Sequence, residues 1–396
     1  MKVALLNTLY APNVLGGTER VVQTLAESLL AQGHQPVVVC TGAERGVHRD
    51  VVAGVPVYSI GLQNIYPLPP LDRRHALAKP VWHAMDTANF TMAKLFGRIL
   101  DDERPDVVHT HNLTGFSAFA WSAAQNRRVP IVHTLHDYYL LCPRSTMFAN
   151  GANCVHRHVT CALYSWPRLK VSSHVRAVVG VSRFVLDRHL SHGAFRHAEP
   201  FVIGNPCSPV RRDTRPLTFT SRPLRIGYLG RLEPAKGVEQ LLSATEGLAA
   251  QGWELHVAGC GANGFERDLR ARFVDPRIRF HGFVDRDDFL NTIDVLVVPS
   301  QSHETFGLVA IEAFAAGVPV VASRRGGLAE VVTDGETGTL FEPTNAGELQ
   351  SALDAFIKDP SRARRMRQRC LERARDFEAT AITKRYEYVY QRAISV

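Results

Sequence analysis

Short apolar runs of strand length alternate with segments of helical periodicity along almost the whole chain. Val3 to Leu6, Pro36 to Cys40, Asp106 to His111, Pro130 to Leu135 and Ala177 to Val181 read as strands, and Thr18 to Ala31 reads as a helix. A second series begins further on, with strands expected at Leu224 to Leu229, Glu254 to Ala258, Ile278 to His281, Val295 to Val298 and Val318 to Ala322, again separated by helical segments. Alternation of this kind builds parallel sheets with helices on both faces, an α/β architecture.

The two series are separated by Asn205 to Pro223, which carries Pro206, Pro209, Pro216 and Pro223 and no periodicity, so it reads as an interdomain linker. The domains expected are 1–215, 216–376 and a closing helix over 377–396, whose Tyr386, Val389 and Tyr390 are placed to pack on the body. Each half opens with a strand running into a glycine turn, Gly16-Gly17 in the first and Gly230 in the second. Two Rossmann-like parallel-sheet domains facing a cleft are therefore expected, and clefts between domains commonly hold ligands.

Composition narrows the classes further. Lys and Arg total 46 against 38 Asp and Glu, a net charge of +8, with 45% apolar and 21% charged residues. That is an ordinary globular balance, which excludes disorder, collagen and coiled coil. The opening apolar run stops at Asn7 and no stretch reaches ~18 apolar residues, so a cytoplasmic chain is expected. Basic residues are dispersed, with clusters at Arg127-Arg128, Arg211-Arg212 and Arg362 to Arg369 that read as solvated faces, a membrane-docking patch being the second reading. No nucleic-acid-reading motif accompanies them, so no nucleic-acid partner is expected. Of seven cysteines, Cys40, Cys207, Cys260 and Cys370 read as packing residues. Cys142, Cys154 and Cys161, with His156 and His158, lack any C-x-x-C pair and read as loop thiols rather than a zinc site.

The chemistry concentrates after the strand Val295 to Val298. Leu308, Ile311, Ala315 and Ala316 have helical spacing, so a helix starting near Phe306 would aim free N–H groups beyond the strand, an anion site. Eight helical residues rise about 12 Å, which would let Glu304 and Glu312 touch opposite ends of a nucleoside diphosphate sugar, Glu312 at the ribose and Glu304 at the hexose. A capping Glu304 and a solvent-facing Glu312 stand as the plainer alternative. In Gly230-Arg231-Leu232-Glu233-Pro234-Ala235-Lys236-Gly237, Arg231 and Lys236 suit the charge developing on a departing diphosphate. Walker A order is absent, and two solvated cations on a turn are the alternative. Gly16-Gly17 permits close backbone approach but lacks the full dinucleotide fingerprint. His109, His111, His133 and His136 lie at the ends of two strands, with His136 suited to a hydrogen bond with a sugar.

Gly16-Gly17-Thr18-Glu19-Arg20, Gly230-Arg231-Leu232 with Lys236-Gly237, Glu304-x₇-Glu312, Ala316 to Ser323 and Gly326-Gly327-x-x-Glu330 together resemble family-4 glycosyltransferases of group 1, which are retaining enzymes of the GT-B fold. The resemblance implies that the second domain holds most of the nucleotide and that the last helix crosses back to the first. It implies a catalytic set of Arg231, Lys236, Glu304 and His136. It also implies a donor-binding set of Gly16, Gly17, Gly230, Glu304, Phe306, Gly307, Leu308 and Glu312, with Gly326-Gly327 shaping a nearby loop. The mechanism implied is a front-face displacement whose leaving phosphate takes the acceptor proton, without cofactor or metal. Glu304 and Glu312 are not the carboxylate pair of a retaining glycosidase. One departure is Pro206-Cys207 after Asn205, where the family commonly has Asn-Gly. The function expected is transfer of a hexose from a UDP- or GDP-sugar to a hydroxyl of a glycan or lipid-linked acceptor, by a chain in the cytoplasm or at the inner face of the membrane. The rivals are a GT-B-fold epimerase or phosphorylase, and a nucleotide-sugar-binding protein without activity.

Overall fold

The computed structural model describes residues 1–14, 16–65, 78–208, 210, 223–261 and 264–395. The chain divides into two compact units, one of Met1–Met147, Val155–Pro206 and Ala379–Val396, the other of Phe148–Cys154 and Cys207–Glu378. The domain boundary expected near 215, Arg211-Arg212 and most of the linker lie outside the described residues.

The first unit is built on an eight-stranded sheet among the described residues, in the order Glu199–Val202, Ala177–Gly180, Ile131–Leu135, Val107–Thr110, Lys2–Leu6, Gln35–Gly42, Val55–Gly61, Val47–Val52. All neighbours are parallel except the final pair. Central strands such as Ile131–Leu135 are buried throughout, as helices on both faces require. Lys2–Leu6 sits between Gln35–Gly42 and Val107–Thr110, so the winding reverses there. The helix Ala379–Ser395 belongs to this unit and contributes Ile382, Tyr386, Val389, Tyr390 and Ala393 to its core.

The second unit carries a six-stranded, wholly parallel sheet among the described residues, ordered Ile278–Gly282, Trp253–Ala258, Leu224–Leu229, Val295–Val298, Val320–Ser323, Gly338–Phe341. Its winding reverses between Leu224–Leu229 and Val295–Val298. Loops that follow adjacent strands diverge at such a point and leave a crevice. These are the loops that carry Arg231, Lys236 and Glu304. Among the described residues no helix is long and apolar enough to cross a membrane.

Candidate functional site

Backbone contacts hold the two second-unit loops together. Gly237 adopts φ +70, and a Cβ there would run into the carbonyl oxygen of Pro299. Gln301 and Ser302 donate their N–H groups to the Ala235 oxygen at 2.9 and 3.1 Å. This seam brings Lys236 Nζ to 2.7 Å from Glu304 Oε1, the oxygen that also accepts from Ser300 Oγ at 2.6 Å. Burial alone would raise the Glu304 pKa, but the Lys236 ammonium and the Ser300 hydroxyl outweigh it, so the pKa falls below the usual value. Glu304 is therefore an ionised acceptor beside a fixed cation.

The far side of the same loop is fixed by glycines. Gly326, at φ +61, pairs with Glu304 in a short parallel bridge, and Gly327 N donates to the Glu304 oxygen at 2.7 Å. Asn153, from the hairpin Phe148–Ala149 and Ala152–Asn153, donates to the Gln301 oxygen and accepts from His303 N, both at 2.8 Å. Phe306 is buried edge-on against Phe377, their ring centroids 5.5 Å apart.

The helix runs over Leu308–Ala316, two residues later than expected, because Gly307 at φ +105 is its N-cap and breaks the preceding turn. Glu304 thus lies in the loop, and the helix rises only about 6 Å from Leu308 to Glu312, which overturns the 12 Å helical span. Among the described residues no side-chain cap is seen at this helix start, whose N-cap, Gly307, has no side chain to offer. Glu304 is not a cap, and Glu312 does not face solvent. Glu312 is buried, with its Oε1 at 2.9 Å from Arg286 Nη1, and Arg286 also meets Asp287 at 2.6 Å. Arg286, the partner of Glu312, is a residue that spacing gave no hint of.

Arg231 is placed differently from Lys236. Its side chain is 70% exposed and meets Glu233 at 3.1 Å, reaching Glu304 only through a smaller electrostatic pull. Gly230 donates to the Ala258 oxygen at 3.1 Å, and the sterically demanding position is its neighbour Gly259, whose Cβ would strike the Gly230 oxygen.

In the first unit, Gly16 is the N-cap of the helix Gly17–Ala31, in extended backbone, and its N–H donates to Glu19 Oε2 at 2.9 Å. The four histidines separate. His109 is buried, with Nδ1 at 2.8 Å from Tyr390 Oη and Nε2 at 2.7 Å from Thr134 Oγ1. His133 is buried against Trp121 and Phe195, with Nδ1 at 2.9 Å from Thr110 Oγ1. Both are therefore core residues rather than strand-end residues open to ligand. Only His111 and His136 meet beyond the strand ends, Nδ1 to Nε2 at 2.9 Å. Burial pushes the His136 pKa down to about 3 and that of His111 well down, so the pair is neutral.

These shifts set an acid limit on stability. His109, His111, His133 and His136 are all depressed by burial first, so the unfolded chain binds more protons below pH ~6.5. Their contribution is complete above that pH and drains as pH falls, by up to about 1.4 kcal/mol per unit for each group. Asp137, raised by burial to about 6, opposes this over a narrower range. Urea denaturation at pH 7.5 and pH 5 is expected to show a lower midpoint at pH 5. An equal midpoint would mean that these rings are not buried neutral.

Cys142 is buried and Cys154 and Cys161 are half-buried, Cys154 in the second unit and the others in the first. Among the described residues no group of three His, Cys, Asp or Glu is placed to hold a metal ion.

The family model for glycosyl transferases group 1 matches residues 211–376, and that for a glycosyl transferase 4-like domain matches residues 16–206. A Klebsiella pneumoniae protein described as an uncharacterized 42.6 kDa protein in a cps region is 32% identical over 332 residues, spanning 84% of this chain and 87% of its own. Glycogen synthase of Mycobacterium tuberculosis is 30% identical over 408 residues, spanning 98% of this chain and 94% of its own. Among solved structures, sucrose-phosphate synthase from Thermosynechococcus elongatus superposes with a TM-score of 0.76 at 22% identity, covering 98% of each chain. HepE of Anabaena, in complex with UDP and glucose, gives 0.72 at 18% identity over 99% of each chain.

Proposed function

The chain belongs to the glycosyltransferases of group 1 with a 4-like first domain, GT-B in fold, and on that premise we propose a retaining, metal-independent hexosyltransferase. The donor proposed is a UDP- or GDP-sugar, and the acceptor a hydroxyl of a glycan or lipid-linked glycan at the cytoplasmic membrane face. The observation that carries this reading is the Lys236–Glu304 pair in the crevice where the second sheet reverses its winding. Relatives support it: HepE is seen with UDP and glucose, and the Klebsiella relative belongs to a cps region, which favours polysaccharide assembly.

In this reading the acceptor oxygen bonds to the anomeric carbon on the face that the diphosphate leaves. The bond from that carbon to the phosphate oxygen breaks, with its electron pair going to the β-phosphate, which then takes the acceptor's proton. Lys236 and Arg231 stabilise the negative charge as it grows. The uncapped N–H groups at Gly307 and Leu308 add partial positive charge to the phosphates. Glu304, kept ionised, accepts hydrogen bonds from the hexose. Glu312, steadied by Arg286, takes the ribose hydroxyls. His136, kept neutral, hydrogen-bonds the transferred sugar.

A thermal-shift screen of UDP-, GDP-, ADP- and TDP-sugars tests the donor, since a ligand at about 100 times its Kd adds about 2.7 kcal/mol to stability. The Glu312→Ala variant is expected to bind the matching nucleotide at least about tenfold more weakly by calorimetry. Arg286 keeps Asp287 as a partner, so the fold should survive. NMR of the product should show the donor's anomeric configuration retained. Unchanged nucleotide affinity in the variant would remove Glu312 from the ribose, and an inverted product would end the retaining assignment.

A further inference from the structure

The helix Val159–Val171 turns an apolar face to solvent. Val159, Leu163 and Trp166 follow at helical steps along one side and are 81%, 73% and 66% exposed. One of its two cations turns inward, Arg168 being fully buried with its guanidinium 3.8 Å over the Tyr139 ring and 3.2 Å from Asp86. A surface helix ordinarily does the reverse. Single exposed apolar side chains are commonplace, but successive turns of one helix presenting them form a stripe that marks an interaction surface. Val155, just before the helix, is exposed as well, as are Val81 and Met85 on the neighbouring helix Lys79–Thr87, tied to this one by Tyr164 donating to the Pro80 oxygen at 3.3 Å.

Charge decides which partner fits. From Tyr138 to Leu186 the chain holds no Asp or Glu, yet it carries Arg144, Arg157, Arg168, Lys170, Arg176 and Arg183. Lys170 closes the stripe, exposed and with its ammonium 5.6 Å over the Trp166 ring. An apolar stripe with an aromatic ring at its edge and an exposed cation at its end, in a segment whose sequence carries cations and no acid, is the pattern of a helix lying in a lipid headgroup region. The arginine-rich helix Ser361–Arg375 lacks this pattern. Arg365 pairs with Asp359, Arg369 with Glu372 and Arg373 with Asp376, and Ala363, Met366, Cys370 and Ala374 are buried.

We propose that the outer face of Val159–Val171 docks the protein on an anionic lipid bilayer, with Val159, Leu163 and Trp166 at the headgroup–acyl boundary and Lys170 against lipid phosphates. This deepens the reading above, on which it rests for an acceptor at the membrane. Donor calorimetry without lipid tests that reading, and vesicle binding tests this one.

The experiment is co-sedimentation of the full chain with vesicles of phosphatidylcholine alone and of phosphatidylcholine mixed with phosphatidylglycerol. Binding to the anionic vesicles is expected, weakening as salt screens the cations. Trp82, Trp121 and Trp253 are buried, so a blue shift of tryptophan emission on binding would come from Trp166. Leu163→Glu with Trp166→Glu should lower partitioning at least about tenfold, and Lys170→Glu about fivefold. Phe283→Glu, at an isolated exposed ring in the second unit, should leave it unchanged. If the double Glu variant loses its cooperative melting transition, Leu163→Gln with Trp166→Gln replaces it. The proposal is overturned by no binding to anionic vesicles, by equal binding to neutral ones, by a folded double variant that binds like the parent, or by a lipid-free dimer that the double variant dissociates.

Discussion

Replacing Lys236 by alanine is expected to lower kcat by about 10²–10³-fold, the usual cost of removing one preorganised group that meets charge arising in the transition state. The ammonium is held 2.7 Å from Glu304 and at the edge of a 3-10 turn, Pro234–Lys236, that the Pro299 backbone braces, so it does not need to be ordered during reaction. Its removal has a second consequence. The Glu304 carboxylate loses the main influence holding its pKa down and moves upward under burial. The Ala variant should therefore lose residual activity at a higher pH than the parent as the solution is acidified, since protonated Glu304 no longer accepts from the sugar. Both side chains keep some solvent contact, so breaking the pair costs less stability than a fully buried one. Lys236→Arg should recover part of kcat, because it restores charge without the compact ammonium geometry. Steady-state kinetics of the three proteins across pH, alongside their melting temperatures, separates the catalytic loss from the structural one. A Lys236→Ala enzyme with unchanged kcat would remove Lys236 from the leaving-group site.

Much of the fold is legible in the chain because parallel strands buried on both faces are continuous apolar runs. Leu224–Leu229 and Val295–Val298 are read from the sequence to the residue. Val47–Val52 is not, since this edge strand is nearly all exposed and its central residues are His48, Arg49 and Asp50. Gly338–Phe341 has four residues and a glycine, too little for a periodicity to register. Within the candidate site, Lys236 and Glu304 are visible because each follows a strand in a distinctive loop. Arg286 is not, because it opens the five-residue helix Arg286–Leu290 after an Asp285 cap, an ordinary start, and its partner Glu312 is remote in sequence. Asn153 is hidden in a hairpin whose partners lie about 150 residues on. The histidines show how little strand position alone decides. His109 is within Val107–Thr110 and His133 within Ile131–Leu135, so sheet neighbours and helices enclose both, whereas His111 and His136 lie one residue past those strands and meet each other.

Gly326→Ala is expected to destabilise the protein by roughly 3 kcal/mol and to remove measurable donor binding. Two separate effects add at this position. Any L side chain pays conformational strain at φ +61, on the order of 1 kcal/mol. The new Cβ would also strike the Glu304 carbonyl oxygen and come within 3.0 Å of the Glu304 nitrogen, and neither is the end of a flexible side chain that can swing away. Relief requires the two segments to part, which breaks the Glu304–Gly326 bridge and the 2.7 Å bond from Gly327 N, and carries the Glu304 carboxylate away from Lys236. Gly335→Ala is the matched control. Gly335 has φ +80 with nothing within 4 Å of its would-be Cβ, so it should show the strain of about 1 kcal/mol and bind donor normally. Denaturant melts and donor titrations on both variants distinguish collision from strain. If Gly326→Ala matches Gly335→Ala in both measurements, the Glu304 loop tolerates displacement, and the glycine pair does not shape the site.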